Sequence, residues 1–178
     1  MFARTQRLTL RPGWPEDAPA LAAAIAHEAV VSRTARLPWP YTAEDADAFL
    51  AIPRGSTDAR FLILDHDGGA HRLVGGIALT AEDGEHQLGY WLTPAAWGRG
   101  YATEAGRAVI AMARHALPIR RLAAWHHLDN PASARVLQRL GFRETGRAPR
   151  YSLARDEHVD SARHELDVEP QQRIALAA

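Results

Sequence analysis

One segment constrains this chain more than any other: Gln87 to Ala105, QLGYWLTPAAWGRGYATEA. It reads as a strand, a short loop, the corner Gly98-Arg99-Gly100, and then a helix. Glycines at such a corner let several backbone N–H groups point into one concavity, and the helix start adds the positive end of its dipole. The product is an anion site suited to a phosphate or diphosphate. The chain has no lysine, its 21 basic residues all being arginine, so the GxxxxGK[ST] phosphate loop is excluded. A GxGxxG dinucleotide fingerprint also fails. Its third glycine would fall at Thr103, and Arg120 and Arg121 stand where an acidic residue is needed.

Around that corner the pattern predicts one mixed domain. Thr5–Arg11 alternates as a half-buried strand, and Asp17 caps a helix whose apolar positions are Leu21, Ala24, Ile25 and Ala29. Val30–Tyr41 reads as a loop. Thr42 and Asp45 form a capping box for a second helix. Two apolar runs, Phe61–Leu64 and Leu73–Leu79, are joined by the turn Asp67-Gly68-Gly69 as an antiparallel hairpin. Gln87–Leu92 is a fourth strand, Tyr101–Leu117 a helix ended by Pro118, and Leu122–Trp125 a fifth strand. Asn130, Pro131 and Gly141 punctuate a short helix at its cap, first position and end, with Phe142 packing back on Leu137. Arg143–Arg147 and Val159–Leu166 are further strands. Strands interspersed with helices around a hairpin give an α/β (α+β) domain. The domain is expected over residues 1–169, with 170–178 as a tail.

The balance of the chain narrows its class. Its 178 residues, 47% of them hydrophobic, suffice for a core without disulfides or metals. Equal numbers of acidic and basic residues, 21 of each, argue against a nucleic-acid partner. Absence of cysteine removes thiolate zinc sites and cysteine nucleophiles. No apolar run reaches membrane-spanning length and no secretory leader is visible, so a cytoplasmic protein without a membrane partner is expected. His126-His127 and Asp65-His66-Asp67-Gly68 could suggest metals. The first lacks HExxH spacing, and the second has Gly76 where a calcium loop needs its glutamate, so no metal is expected.

The corner resembles motif A of the GNAT acetyltransferases, [QR]xxGx[GA]. Gly100 and Ala102 match, while Trp97 stands in place of Gln or Arg. A second block, Asn130–Phe142 (NPASARVLQRLGF), resembles the family's NxxSxxVxxxxGF. Arg7–Arg11, Leu37–Thr42 and Leu73–Gly76 resemble pieces of its RimJ/RimL-like branch. The resemblance implies a mostly antiparallel central sheet flanked by helices and splayed between strands 4 and 5, with acetyl-CoA in the cleft.

It further implies that pantetheine pairs with the backbone of Tyr90, Trp91 and Leu92. The diphosphate would meet the N–H groups of Trp97, Gly98, Arg99, Gly100, Tyr101 and Ala102, extending to Thr103. Asn130 caps its helix or bonds pantetheine, and Phe142 lines the channel or packs in the core. An amine acceptor, either a protein N-terminus or a small molecule, would attack the thioester directly. Ser133 is the candidate acid beside the sulfur. The family's tyrosine seven positions after the Asn is replaced by Leu137. Related sequences often carry a Glu base where Gln87 stands. Gln87 is therefore expected to orient a water, and His86 is the nearby titratable group, facing the other way along the strand. Arg147, Arg150 and Arg155, with Arg33 and Arg36, border the acceptor side as surface charges or as a preference for acidic acceptors. A monomer or homodimer is expected. A second reading is an acyl-CoA-binding module without turnover.

Overall fold

The computed structural model describes residues 2–53, 55, 57–66, 71–82 and 84–168. Chain order is β1 (Ala3–Arg4), β2 (Leu8–Arg11), α1 (Ala18–Ile25), α2 (Glu28–Val31), α3 (Ala43–Ala51), β3 (Ala59–Asp65), β4 (Arg72–Glu82), β5 (Glu85–Leu92), α4 (Tyr101–Ala116), β6 (Arg121–His127), α5 (Pro131–Arg139), β7 (Arg143–Ser152) and β8 (Glu157–Asp167). The strands form one sheet in the order β1-β2-β3-β4-β5-β6-β8-β7. Every neighbouring pair is antiparallel except β5 and β6.

Both faces of the sheet are covered, which explains why β3 reads as a continuous apolar run rather than an alternating one. Phe61 and Ile63 pack in the larger core with α4 and α5, while Leu62 and Leu64 pack with α1 and α3. In α4, Tyr101, Ala105, Val109 and Ala113 are fully buried along one stripe. A side chain the size of Val109 contributes about 1.5–3 kcal/mol by such burial.

The exception in the ladder creates the opening. β5 and β6 pair only at His86↔Leu122 and Gln87↔Ala123. Beyond these pairs, among the described residues, β5 pairs with no strand but β4 and β6 with none but β8, so the sheet splays on the C-terminal side of Gln87.

Several expected elements differ. The first strand is shorter than Thr5–Arg11. Thr5 N bonds the Leu8 carbonyl at 2.8 Å and Thr5 Oγ1 accepts from Leu8 N at 3.0 Å, closing a turn ahead of β2. Asp17 makes no side-chain cap to α1; its carboxylate takes Arg11 at 2.6 and 2.7 Å and the Trp14 N–H at 2.8 Å. Ala29 belongs to the separate helix α2, as do Val30 and Val31 of the expected loop. The Thr42–Asp45 box is present, with bonds of 2.8 and 3.2 Å between each side chain and the other's N–H. Strands β7 and β8 run longer than the sequence pattern suggests. The turn Asp67-Gly68-Gly69 and the tail 170–178 lie outside the described residues. Among the described residues, no helix is long and apolar enough to cross a membrane.

Candidate active site at the splayed strands

The corner between β5 and α4 is built from two left-handed glycines. Gly98 has φ 74° and Gly100 φ 79°. Any other residue is strained there. A Cβ on Gly98 would meet nothing within 4 Å, and one on Gly100 only Arg7 Nη2 at 3.7 Å, so the inner surface of the turn is open. The row of free donors starts at Gly98 rather than at Trp97. Trp97 N–H is spent on the Pro94 carbonyl at 3.1 Å, and its indole N–H on the Leu92 carbonyl at 2.8 Å. From Gly98 to Thr103, six successive N–H groups have no acceptor among the described residues; the first intrahelical bond is Glu104 N to Gly100 O, 3.1 Å. Thr103 Oγ1, in the same first turn, is also buried with no partner among the described residues. These unspent donors fit a diphosphate.

The turn is held from behind by charges that sequence inspection missed. Glu104 is acidic and one turn from the anion site, yet its carboxylate is fully occupied. It accepts from Thr5 Oγ1 (2.6 Å), Arg7 N (2.9 Å), Arg7 Nε (2.8 Å) and Arg7 Nη2 (2.6 Å). Burial would raise its pKa, but these donors together hold it below the usual glutamate value. Arg7 Nη1 also bonds the Arg99 carbonyl at 3.0 Å, fixing that peptide of the corner. The guanidiniums of Arg7 and Arg99 lie 4.8 and 4.7 Å from the Tyr101 ring centroid. The Tyr101 hydroxyl donates to buried Asp65 at 2.9 Å, and Arg99 reaches the same oxygen at 3.3 Å. Thus Arg99 and Tyr101 face backward with their side chains and offer the site their N–H groups. The only sequence hint was a charged residue, Arg7, at the start of an otherwise half-buried strand.

Along the splay, β5 offers an unpaired edge. Gly75↔Leu92 is a non-hydrogen-bonded pair, since Thr93 N reaches past it to the Val74 carbonyl at 2.9 Å. Alternation then directs the polar backbone atoms of Trp91 toward β4 and those of Tyr90 and Leu92 toward the opening. Trp97 occupies the Leu92 carbonyl, as above. The expected strand pairing is therefore narrowed to the Tyr90 N–H and carbonyl and the Leu92 N–H.

Across the opening stands α5. Asn130 caps it, its Oδ1 accepting from Ser133 N at 3.2 Å. The helix ends in a Schellman motif: Phe142 N bonds the Leu137 carbonyl and Gly141 N the Gln138 carbonyl, each at 3.0 Å, with Gly141 at φ 90°. Phe142 and Leu137 are buried in the larger core. The Ser133 hydroxyl meets the Tyr90 hydroxyl at 2.7 Å. Burial pushes the Tyr90 phenol up to about 12, so it stays protonated. Its side chain was not anticipated, although strand alternation places Leu88, Tyr90 and Leu92 together on the face toward α4 and α5.

The opposite face carries Gln87. Its amide, half-buried, makes no hydrogen bond among the described residues. His86 points to the other side and bonds Thr57 Oγ1 at 2.9 Å, so the two are not brought together. Glu85 shares Gln87's face but is locked to Arg163 at 2.6 Å. From β6, alternation puts Ala123, Trp125 and His127 on this face. His127 is buried, its Nδ1 without a hydrogen-bond partner among the described residues, and its pKa is lowered by burial and then by Arg155. His126 faces the other way, its Nδ1 3.0 Å from His164 Nε2. Arg155 pairs with Asp129 at 2.7 Å and donates to the Ser32 carbonyl at 2.7 Å. Among the described residues, no group of three His, Cys, Asp or Glu side chains is placed to hold a metal.

Comparison with known proteins fits this geometry. Residues 7–143 match the family model described as an acetyltransferase (GNAT) domain. The uncharacterized N-acetyltransferase YoaA of Bacillus subtilis is 30% identical over 149 residues, covering 80% of this chain and 82% of YoaA. The uncharacterized N-acetyltransferase YnaD of the same organism is 30% identical over 108 residues, covering 60% of this chain and 62% of YnaD, so the match spans less than two thirds of YnaD's length. Among solved structures, RimL, a ribosomal L7/L12 alpha-N-protein acetyltransferase in complex with coenzyme A, superposes with a TM-score of 0.79 at 19% identity. That match covers 96% of this chain and all (100%) of RimL's.

Proposed function

The chain is an acetyltransferase of the GNAT family, and on that premise we propose that it moves the acetyl group of acetyl-CoA to a primary amine, with a protein N-terminal α-amine favoured over a lysine side chain. The observation that carries this reading is the run of six unspent N–H groups, Gly98 to Thr103, beside a strand edge that continues it. A diphosphate on the first and a pantetheine amide on the second would lay the thioester between β5 and β6. Acetyl-CoA supplies the activated acyl carbon.

On this reading the chain's own residues take distinct parts. The Tyr90 and Leu92 N–H groups on the open edge are the donors available to a developing oxyanion. Ser133, backed by the protonated Tyr90 phenol, holds a proton for the departing sulfur. On the acceptor face the carboxylate nearest Gln87 along β5, Glu85, is tied up by Arg163, and Gln87 cannot take a proton. That favours an amine already deprotonated in part. At pH 7 an α-amine near pKa 7.8 is roughly 10–15% neutral, against roughly 0.04% for a lysine near 10.4.

Thiol release measured with a free N-terminal peptide and with its N-blocked, lysine-containing counterpart tests the reading. Faster turnover of the free N-terminus is expected. Faster lysine acetylation overturns the preference. Coenzyme binding with no thiol release across a broad amine panel leaves only a binding module.

A further inference from the structure

We propose that the Gln87 face of the splay takes an amine acceptor bearing a carboxylate close to its amine, and that Arg150 is the residue that pairs with that carboxylate. The inference rests on the transfer reading above and names the acceptor's chemical class.

Three observations lead to Arg150. Its position is the first. In the sheet register Arg150 stands opposite Val159, Ala148 opposite Ser161 and Ser161 opposite His127, while Trp125 stands opposite Arg163. Alternation puts Arg150, His127 and Trp125 on one face, the face of Gln87 and its partner Ala123. Arg150 and Trp125 lean toward each other over this face until the guanidinium carbon lies 4.8 Å from the indole centroid, with His127 on the row between them. Trp125 is two residues beyond the last β5–β6 pair, about 7 Å along the strand at ordinary rise. The stack therefore sits at the mouth of the opening.

Its charge is the second observation. Three neighbouring guanidiniums are neutralised, Arg163 by Glu85 and Glu165, Arg155 by Asp129 and Arg36 by Glu82, while Arg33 lies over a different ring, 4.7 Å from the Trp97 centroid. Half-buried Arg150 has no hydrogen bond and no carboxylate among the described residues. The third is its geometry. A guanidinium held over an indole by its charge spends none of its N–H groups there, and these are the donors that grip a carboxylate with two parallel bonds. An acceptor whose amine sits over Gln87 can extend a nearby carboxylate to that fork. An N-terminal residue followed by Glu or Asp presents this chemistry, and so does a free amino acid.

The experiment pairs two peptides that differ only at their second residue, Ala-Glu and Ala-Gln, and adds free glutamate as a third acceptor. Wild type, Arg150→Gln and Arg150→Lys are compared by thiol release, and peptide binding to the coenzyme A-bound protein is measured by calorimetry. Wild type is expected to favour the Glu peptide by roughly tenfold in kcat/KM, the scale of a charged hydrogen bond. Arg150→Gln removes most of that preference by slowing the Glu peptide far more than the Gln peptide, and Arg150→Lys keeps part of it. Saturation by free glutamate assigns the carboxylate to a small molecule; inertness of glutamate assigns it to a peptide. With glutamate inert, equal rates for the two peptides in wild type, or equal losses for both in Arg150→Gln, overturn the inference and leave acetyl transfer standing, as does glutamate turnover that Arg150→Gln leaves unchanged. Arg150-dependent binding of the Glu peptide without thiol release upholds the subsite and overturns the transfer reading.

Discussion

The two sides of the splay are made in opposite ways. The proposed coenzyme side is a single continuous segment, Gly98 to Thr103, whose polar groups are backbone N–H, and side chains such as Arg7, Glu104, Tyr101 and Asp65 brace it from behind. The proposed acceptor side has no such segment. Gln87, Trp125, His127 and Arg150 come from three strands and share one face of the sheet, where only the sheet order brings Arg150 to Trp125. A row of backbone donors suits a fixed chemical group, through geometry that few residues can alter. The other side can change specificity one side chain at a time. Variants on the two sides should therefore fail differently, the first in coenzyme affinity and the second in acceptor choice.

The largest effect is expected at Gly100. Gly100→Asp places a side chain at φ 79°, a strain of about 1–2 kcal/mol, and sets a carboxylate beside the diphosphate site. The protein itself has room, since the nearest atom to the new Cβ is Arg7 Nη2 at 3.7 Å. Coenzyme affinity by calorimetry should fall about a hundredfold or more while the circular dichroism spectrum is kept, the sum of strain and a like-charge contact. Unchanged affinity would mean that the diphosphate does not sit on this corner.

A smaller effect on the same side separates bracing from binding. Arg7→Ala removes two of the four donors to Glu104, Arg7 Nε and Nη2, and with them the counter-charge, and it frees the Arg99 carbonyl. A less neutralised carboxylate in the first turn of α4 opposes an incoming diphosphate. KM for acetyl-CoA should rise about tenfold with kcat little changed, and Glu104→Gln placed on top of Arg7→Ala should recover part of the loss. A fall in kcat at constant KM would assign Arg7 a different part in the reaction.

How much of this was readable from the chain follows the same division. The corner, the Thr42 capping box and the Asn130–Gly141 punctuation are local, so each announces itself within a few residues. The family blocks lie there too. Tyr90 reaching Ser133, and Arg150 reaching Trp125, join residues 43 and 25 positions apart, and no local pattern encodes such a meeting. The misread strand at Thr5 has the same origin. Thr5 and Arg7 were diverted from the ladder by Glu104, 99 and 97 residues away. Asp17 looked like a helix cap because Asp is a good one; Arg11, six residues earlier, claimed its carboxylate first.

The two sides should also part company in acid, and this is the mildest of the expected effects. The β6–β8 half carries His126, His127 and His164, all nearly buried, with pKa values lowered by burial in each case and, for His126, next by its neighbour His164. A base whose folded pKa lies below its unfolded value of about 6.5 binds protons more readily when unfolded, so stability drops as pH falls below about 6.5. Each histidine adds at most about 1.4 kcal/mol per pH unit to that slope. The coenzyme side behaves otherwise. Glu104 is depressed in the folded state, so its contribution persists through this range and fades only as pH drops below about 4.3 toward its lowered pKa. Thermal melts between pH 7.5 and 5.5 should thus lose stability steadily. His164→Gln should flatten the slope, and coenzyme affinity should hardly move over the same interval. A melting temperature independent of pH from 7.5 to 5.5 would mean that the three imidazoles are not held neutral in the folded protein. A coenzyme affinity that falls in step with stability would mean that the two halves of the splay do not respond separately to acid.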